Sequence, residues 1–218
     1  RVPYGSKSRD LITKFGLEAA KFLTSRGVKL IVVACNSVSS NSLDLLRSVV
    51  EVPIVGVIEP GAEVGCRATR NMKIGVIGTV ATVESGAYER AIREIAPEMK
   101  VETRSCPLFV PLAEEGWVHG EATRLIAEEY LAPFKSFGVD TLILGCTHYP
   151  LLSPTISLVM GEAVLLVDSA QAVAQKVEEI LRQRGLLRRE AASPNHQLFL
   201  SDLPRKFPEI AERFLGQT

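Results

Sequence analysis

Two stretches decide the fold, Leu30-Ile31-Val32-Val33-Ala34-Cys35-Asn36-Ser37 and Leu142-Ile143-Leu144-Gly145-Cys146-Thr147-His148-Tyr149-Pro150. Each is a continuous apolar run that ends in a cysteine, followed at once by small hydrogen-bonding side chains and then by a segment of helical period. Unbroken Val/Ile/Leu runs of this kind read as strands covered on both faces, the signature of a parallel sheet.

The same rhythm extends outward along the chain. Strands are predicted at 28–34, 54–58, 73–78, 141–145, 163–167 and 197–200, and helices near 8–26, 41–49, 60–70, 82–95, 121–136, 151–160, 169–184 and 204–215. Asp168-Ser169 and Ser201-Asp202 put capping side chains just ahead of helix starts. The fold class expected is α/β, with two similar lobes, each a mostly parallel sheet flanked by helices, and a cleft between them. No low-complexity linker separates the lobes. Glu59-Pro60-Gly61 and Asp168-Ser169 each follow a strand and open a long helix, so the chain is expected to leave the first lobe at one and return at the other. That division gives residues 1–59 with 169–218 as one lobe and 60–168 as the other.

Composition narrows the function classes. The 218 residues carry 25 Lys+Arg against 25 Asp+Glu and are 46% hydrophobic, the reverse of a disordered chain. Basic residues cluster no further than pairs such as Arg188-Arg189, which argues against duplex nucleic acid as a partner. No apolar run approaches the roughly 18 residues of a membrane span, so a cytoplasmic protein with a small polar ligand is expected. Four cysteines at 35, 66, 106 and 146 form neither a CxxC pair nor a zinc-type spacing, and no metal site is expected. Gly75-Val76-Ile77-Gly78 lacks the full dinucleotide fingerprint and no phosphate-binding GxxxxGK[ST] occurs, so no cofactor is expected either.

In open α/β sheets ligands bind at the carboxyl ends of strands, which is where both Cys35 and Cys146 fall. A helix starting just after each would supply N–H donors and partial positive charge, and on that ground both thiols are expected to ionise below the usual ~8.5. A buried cysteine is ordinarily a small core hydrophobe, and that reading is kept for Cys66, inside a helical segment, and Cys106, before Pro107. The duplicated turn sets the other two apart. A cysteine protease would need one thiol only. Two acids of similar strength on opposite faces of one carbon permit deprotonation from one side and reprotonation from the other, which points to racemisation or epimerisation.

The residues also resemble a known family. Val33-Ala34-Cys35-Asn36-Ser37 and Leu142 to Leu152 are similar to the two cysteine signatures of the glutamate racemases, a cofactor-independent group that also includes aspartate racemase. Pro3-Tyr4-Gly5 looks like the family's early loop, Val57 to Ala62 like the entry to its second lobe, Gly78-Thr79 to Thr82 like its GTxxT segment, and Cys106 to Glu114 like its CPxFVPLxE segment. The resemblance implies interconversion of L- and D-glutamate, supplying D-glutamate for peptidoglycan, by a homodimer. Cys35 is then implied to act on the D-glutamate side and Cys146 on the L-glutamate side, with His148 assisting Cys146 and Glu114 near the cleft beside a solvent-facing Glu115. Pro3, Tyr4, Gly5, Asn36, Ser37, Thr79, Thr82 and Thr147 are implied to hold the substrate carboxylates. His119 and His196 are read as surface residues.

Two departures stand out. The family's first strand and its Asp-Ser-Gly turn, whose aspartate is thought to hold the substrate ammonium, have no counterpart here. The chain opens without Met at Arg1, in what reads as a loop, so an upstream segment is expected and the chain without it is expected to have negligible activity. Ser37 stands where Thr is usual and keeps the hydroxyl. The alternatives left open are an aspartate or other amino-acid racemase, and a two-lobed binding protein that closes on an acidic ligand without chemistry.

Overall fold

The computed structural model describes residues 1–188, 193, 195–202 and 207–215. It contains two parallel sheets, each flanked by helices, as the strand rhythm predicts. The smaller sheet pairs β1 (Ile31–Val33) with β2 (Ile54–Gly56) in parallel. Around it lie α1 (Arg9–Ser25), capped by the Ser8 hydroxyl, and α2 (Asn36–Val49). After α3 (Ile58–Ala68) the larger sheet begins with β3 (Lys73–Gly78), followed by α4 (Val80–Glu84), α5 (Ala87–Ile95) and β4 (Lys100–Ser105). Then come α6 (Phe109–Glu115), α7 (Glu121–Phe137), β5 (Thr141–Gly145), a 3-10 turn at Tyr149–Leu152, α8 (Ser153–Met160) and β6 (Leu165–Val167). The chain ends with α9 (Ala170–Gln183) and α10 (Phe207–Leu215). The larger sheet has the order β4-β3-β5-β6, all parallel.

Strand periodicity explains why β5 is buried at every position and apolar from Leu142 to Leu144. Leu142 and Leu144 point into a cluster with Phe109, Phe134 and Tyr149, while Ile143 points into the opposite cluster with Ile74, Val76, Ile92 and Val173. Val55 and Val57, from β2 and the residue after it, join that second cluster, so the two sheets share packed side chains. A third cluster, with Ile12, Ile31, Val38, Leu46 and Ile54, fills the space between α1, α2 and the smaller sheet.

Register positions the chemistry. Gly78 lies opposite Gly145, so the next residues, Thr79 and Cys146, leave the sheet together at its carboxyl edge. Cys35 leaves β1 two residues after Val33, and Ser39 holds that exit: its hydroxyl donates to Val33 O at 2.7 Å and accepts from Val57 N–H at 3.3 Å.

Several expectations need correction. The apolar run at 197–200 forms no strand; exposed Leu198 and Leu200 flank Phe199, whose ring packs edge-on against Phe22 of α1 at 5.0 Å, with the Arg26 guanidinium 4.9 Å from its centroid. Side-chain anchoring to α1 takes the place of ladder pairing. The helix expected over 82–95 is broken at Gly86, whose φ of 63° is left-handed and ends α4. The helix expected from 41 begins at Asn36, and residues 204–206 of the last expected helix lie outside the described residues. β4 is absent from the sequence reading because Lys100-Val101-Glu102-Thr103-Arg104-Ser105 is polar, which an edge strand tolerates. Among the described residues no helix is long and apolar enough to cross a membrane.

Asp140, just ahead of β5, ties the α3–β3 connection to the sheet. It accepts from Thr69 Oγ1 at 2.6 Å, Arg70 N–H at 2.7 Å and Asn71 N–H at 2.9 Å. Burial alone would raise its pKa, but these bonds outweigh it and the carboxyl ionises below its ordinary value. A folded pKa below the unfolded ~3.9 gives stability that is present above about pH 4 and lost as pH falls through the folded value. Asp140→Ala should therefore cost about 1 kcal/mol at pH 7, a modest figure because the carboxylate is partly solvated. Urea unfolding from pH 7 to pH 2.5 checks this; a difference from wild type that stays constant across the range would refute the charge-linked role.

Candidate active site

A cavity of about 260 Å³ lies where the two sheets face each other, lined by Val2, Pro3, Tyr4, Gly5, Cys35, Asn36, Ser37, Thr79, Val110, Cys146, Thr147 and His148. Ten of the twelve residues singled out in the sequence line this one space. The other two stand just behind it. Thr82 reaches it through Thr79, and Glu114 through His148. Val2 and Val110 complete the lining, and no local motif marks them. A larger open groove of about 590 Å³ runs past Arg9, Asp10, Asp44, Glu59 and Arg90, and holds neither thiol.

Three buried hydroxyls stitch the two sides of the cavity together. Ser37 Oγ, in the first turn of α2, lies 2.9 Å from Thr79 Oγ1 and 3.5 Å from Thr82 Oγ1, and the two threonines are 3.0 Å apart. Thr79 is the N-cap of α4 and accepts from Thr82 N–H, so the GTxxT spacing is first a helix start. The loop carrying Tyr4 and Gly5 is pinned to the same place by Ala81 N–H donating to Gly5 O at 3.2 Å. The Tyr4 ring rests against Phe15 of α1 at 5.5 Å.

The thiols are not ionised at rest, contrary to the expectation from helix ends. Cys35 is the N-cap of α2, and the N–H groups of Ser37 and Val38 do favour its thiolate, yet burial outweighs them and raises its pKa. Cys146 is 7% exposed, and burial pushes its thiol up to about 12 despite hydrogen bonds from His148 N–H and Thr147. Its turn continues into the 3-10 segment and reaches α8 only at Ser153, so no α-helix start faces that sulfur directly. The two thiols also sense each other: charge on Cys35 opposes ionisation of Cys146.

His148 forms a chain with its neighbours. Its Nδ1 lies 3.8 Å from Cys146 Sγ and its Nε2 3.2 Å from Glu114 Oε1. Burial lowers the imidazole pKa and Glu114 only partly opposes this, so the ring is neutral near pH 7. With Glu114 accepting from Nε2–H, Nδ1 presents its lone pair to the thiol. Residues of the last helix, which the sequence reading did not mark, close over this chain. The Phe214 ring meets His148 edge-on at 5.5 Å, and Arg213 Nη1 donates to Glu114 O at 2.6 Å. Glu115, His119 and His196 are exposed, whereas Cys106 is wholly buried and Cys66 lies on α3.

Two thiols facing one small cavity, one of them relayed to a histidine and a carboxylate, is an arrangement for proton transfer. Residues 2–177 match the Asp/Glu/Hydantoin racemase family. The chain belongs to that family. Among its relatives, the glutamate racemase of Geobacter metallireducens is 52% identical over 216 residues, a match that covers 99% of this chain and 80% of that protein. The crystal structure of the Francisella tularensis glutamate racemase in complex with D-glutamate superposes with a TM-score of 0.93 at 35% identity, covering 100% of this chain and 81% of that one. A Bacillus anthracis glutamate racemase isoform gives 0.94 at 37% identity, covering 99% and 81%. Membership of a racemase family accords with the paired thiols, since its chemistry moves a proton across one carbon.

The protonation states yield a test. With its pKa pushed up to about 12, the Cys146 thiol is almost wholly protonated at pH 8. Carboxamidomethylation of Cys35 and Cys146, followed by mass spectrometry, should accelerate steadily up to pH 9 without levelling, with Cys66 as the internal comparison. A plateau near neutrality at either cysteine would mean that its thiolate is the resting form.

Proposed function

We propose that this chain is a glutamate racemase that interconverts L- and D-glutamate without a cofactor. The observation that carries the reading is the convergence of Cys35 and Cys146, delivered by two different sheets, on one 260 Å³ cavity. That volume is below the ~300–1,000 Å³ of drug-sized pockets and suits a single amino acid. The choice of glutamate rests on the relatives, one of which is described in complex with D-glutamate.

In the L-to-D direction the Cys146 thiolate removes the α-proton, and the Cys35 thiol delivers its proton to the opposite face. The site is left with Cys146 protonated and Cys35 as thiolate, the state that accepts D-glutamate. Before this, the Cys146 proton must leave, and His148 Nδ1 is the base placed to take it while Glu114 stabilises the resulting imidazolium. Tyr4, Asn36, Ser37, Thr79 and Thr147, with the N–H groups of Tyr4 and Gly5, are the donors assigned to the substrate carboxylates, with Thr82 acting through Thr79 and Pro3 shaping the wall. Several hydrogen bonds to anionic oxygens then hold the α-carbon between the sulfurs. The apolar backing of the cavity raises the strength of these contacts and supports a carbanion-like state without an electron sink.

The reading extends to context. We assign residues 1–59 with 169–218 to one lobe and 60–168 to the other; the Asp168 carboxylate, which accepts from Ala170 N–H at 2.9 Å and starts α9, supports the second boundary. A homodimer working in the cytoplasm to supply D-glutamate for peptidoglycan completes the proposal, with exposed Trp117, Leu125 and Leu158 offering apolar surface for a second copy.

Cys35→Ser and Cys146→Ser should each abolish racemisation by the purified protein, while each still eliminates from one enantiomer of a β-substituted substrate analogue, because elimination needs one base. In D2O the wild type should place deuterium at Cα of the product enantiomer. Full racemisation by both single variants would overturn the two-thiol mechanism. His148→Asn should lower kcat more from L-glutamate than from D-glutamate, with compensating KM values because the equilibrium constant stays at unity. Equal slowing with a large rise in KM would reassign His148 to substrate binding.

A further inference from the structure

Tyr88, on α5 and outside the cavity lining, touches both cysteine turns. It is 2% exposed, and its hydroxyl donates to Asn36 Oδ1 at 2.8 Å, on the residue that follows Cys35. Its ring lies against Gly145, the residue that precedes Cys146, so closely that a Cβ there would sit 3.1 Å from Tyr88 Cε2 and 2.7 Å from Ile77 O. On the far side a Cβ at Gly61 would meet the Tyr88 hydroxyl at 3.2 Å. Two glycines thus form the slot in which the ring sits, and any side chain at Gly145 would push the ring or the Cys146 turn aside.

The hydrogen bond also sets which way the Asn36 amide faces. With Oδ1 taken by the phenol, Nδ2 is the free edge of a side chain that lines the cavity. A flipped amide would present a carbonyl to an anionic substrate and leave the buried phenol hydrogen without its acceptor. Burial, with the nearby Cys146 and Asp168, raises the phenol pKa well above its ordinary value, so Tyr88 remains a donor at any working pH.

We propose that Tyr88 is a positioning residue for racemisation, holding the Asn36 amide with its N–H groups turned to the substrate carboxylate and spacing the Cys35 turn from the Cys146 turn. The inference rests on the racemase reading above. It adds one buried side chain, beside the Ser37–Thr79 hydroxyl contact, to what sets the geometry between the two bases.

Tyr88→Phe keeps the spacer and deletes only the hydroxyl. In this variant kcat/KM should fall about tenfold, equally in both directions because the equilibrium constant is unity, and chiefly through KM, as expected for a weakened carboxylate contact. In an Asn36→Ala background the same change should cost nothing further, since the hydroxyl acts through that amide. Thermal melting on the same samples separates this from a packing role: a lowered Tm with unchanged kcat/KM, or an equal activity loss with Asn36 already removed, overturns the proposal. Absence of glutamate racemisation by the wild type would instead strike down the functional reading, and the role of Tyr88 would fall with it.

Discussion

The buried triangle of hydroxyls formed by Ser37, Thr79 and Thr82 is the constraint on which the site depends. Ser37 belongs to the turn that follows the smaller sheet, and the threonines to the turn that follows β3 of the larger one. Because β3 and β5 are in register at Gly78 and Gly145, fixing Ser37 to Thr79 also fixes Cys35 relative to Cys146. Each hydroxyl is both donor and acceptor, so the triangle satisfies itself in a place where unpaired polar groups would be costly. Among the described residues no buried side-chain nitrogen or oxygen is left without a partner.

Burial works against the chemistry as well as for it. The same apolar surroundings that strengthen contacts to a carboxylate raise both thiol pKa values and keep the thiols protonated. A thiolate must therefore be generated when substrate is present, and the chain from Cys146 through His148 to Glu114 is where the structure provides for the proton. Among the described residues no equivalent histidine stands at Cys35, where the N–H groups of Val38 and Ser37 and the Ser37 side chain supply the stabilisation instead. The two bases are alike in position but not in surroundings.

The last helix adds a contact from far along the chain. Phe214 shields the imidazole edge and Arg213 holds the Glu114 backbone, so α10, separated from α6 by about ninety residues of sequence, contributes to the environment of the relay.

Local sequence determined most of the fold. Continuous apolar runs named the strands β1, β2, β3, β5 and β6, because a strand covered on both faces, as β2, β3 and β5 are, needs no alternation, although Val32 of β1 and Leu165 of β6 are exposed; the cysteine-to-small-polar turns marked where a ligand sits. The polar edge strand β4 and the unpaired run at 197–200 escaped that logic, since edge position and the lack of a ladder partner are properties of neighbours rather than of the segment. The roles of Tyr88, Phe214 and Arg213 were likewise invisible, because each acts through one contact between residues distant in sequence. The ionisation of the thiols was misjudged for a related reason. A helix start can be read from a few adjacent residues, but desolvation is summed over every element that closes around the sulfur, and only the tertiary structure performs that sum.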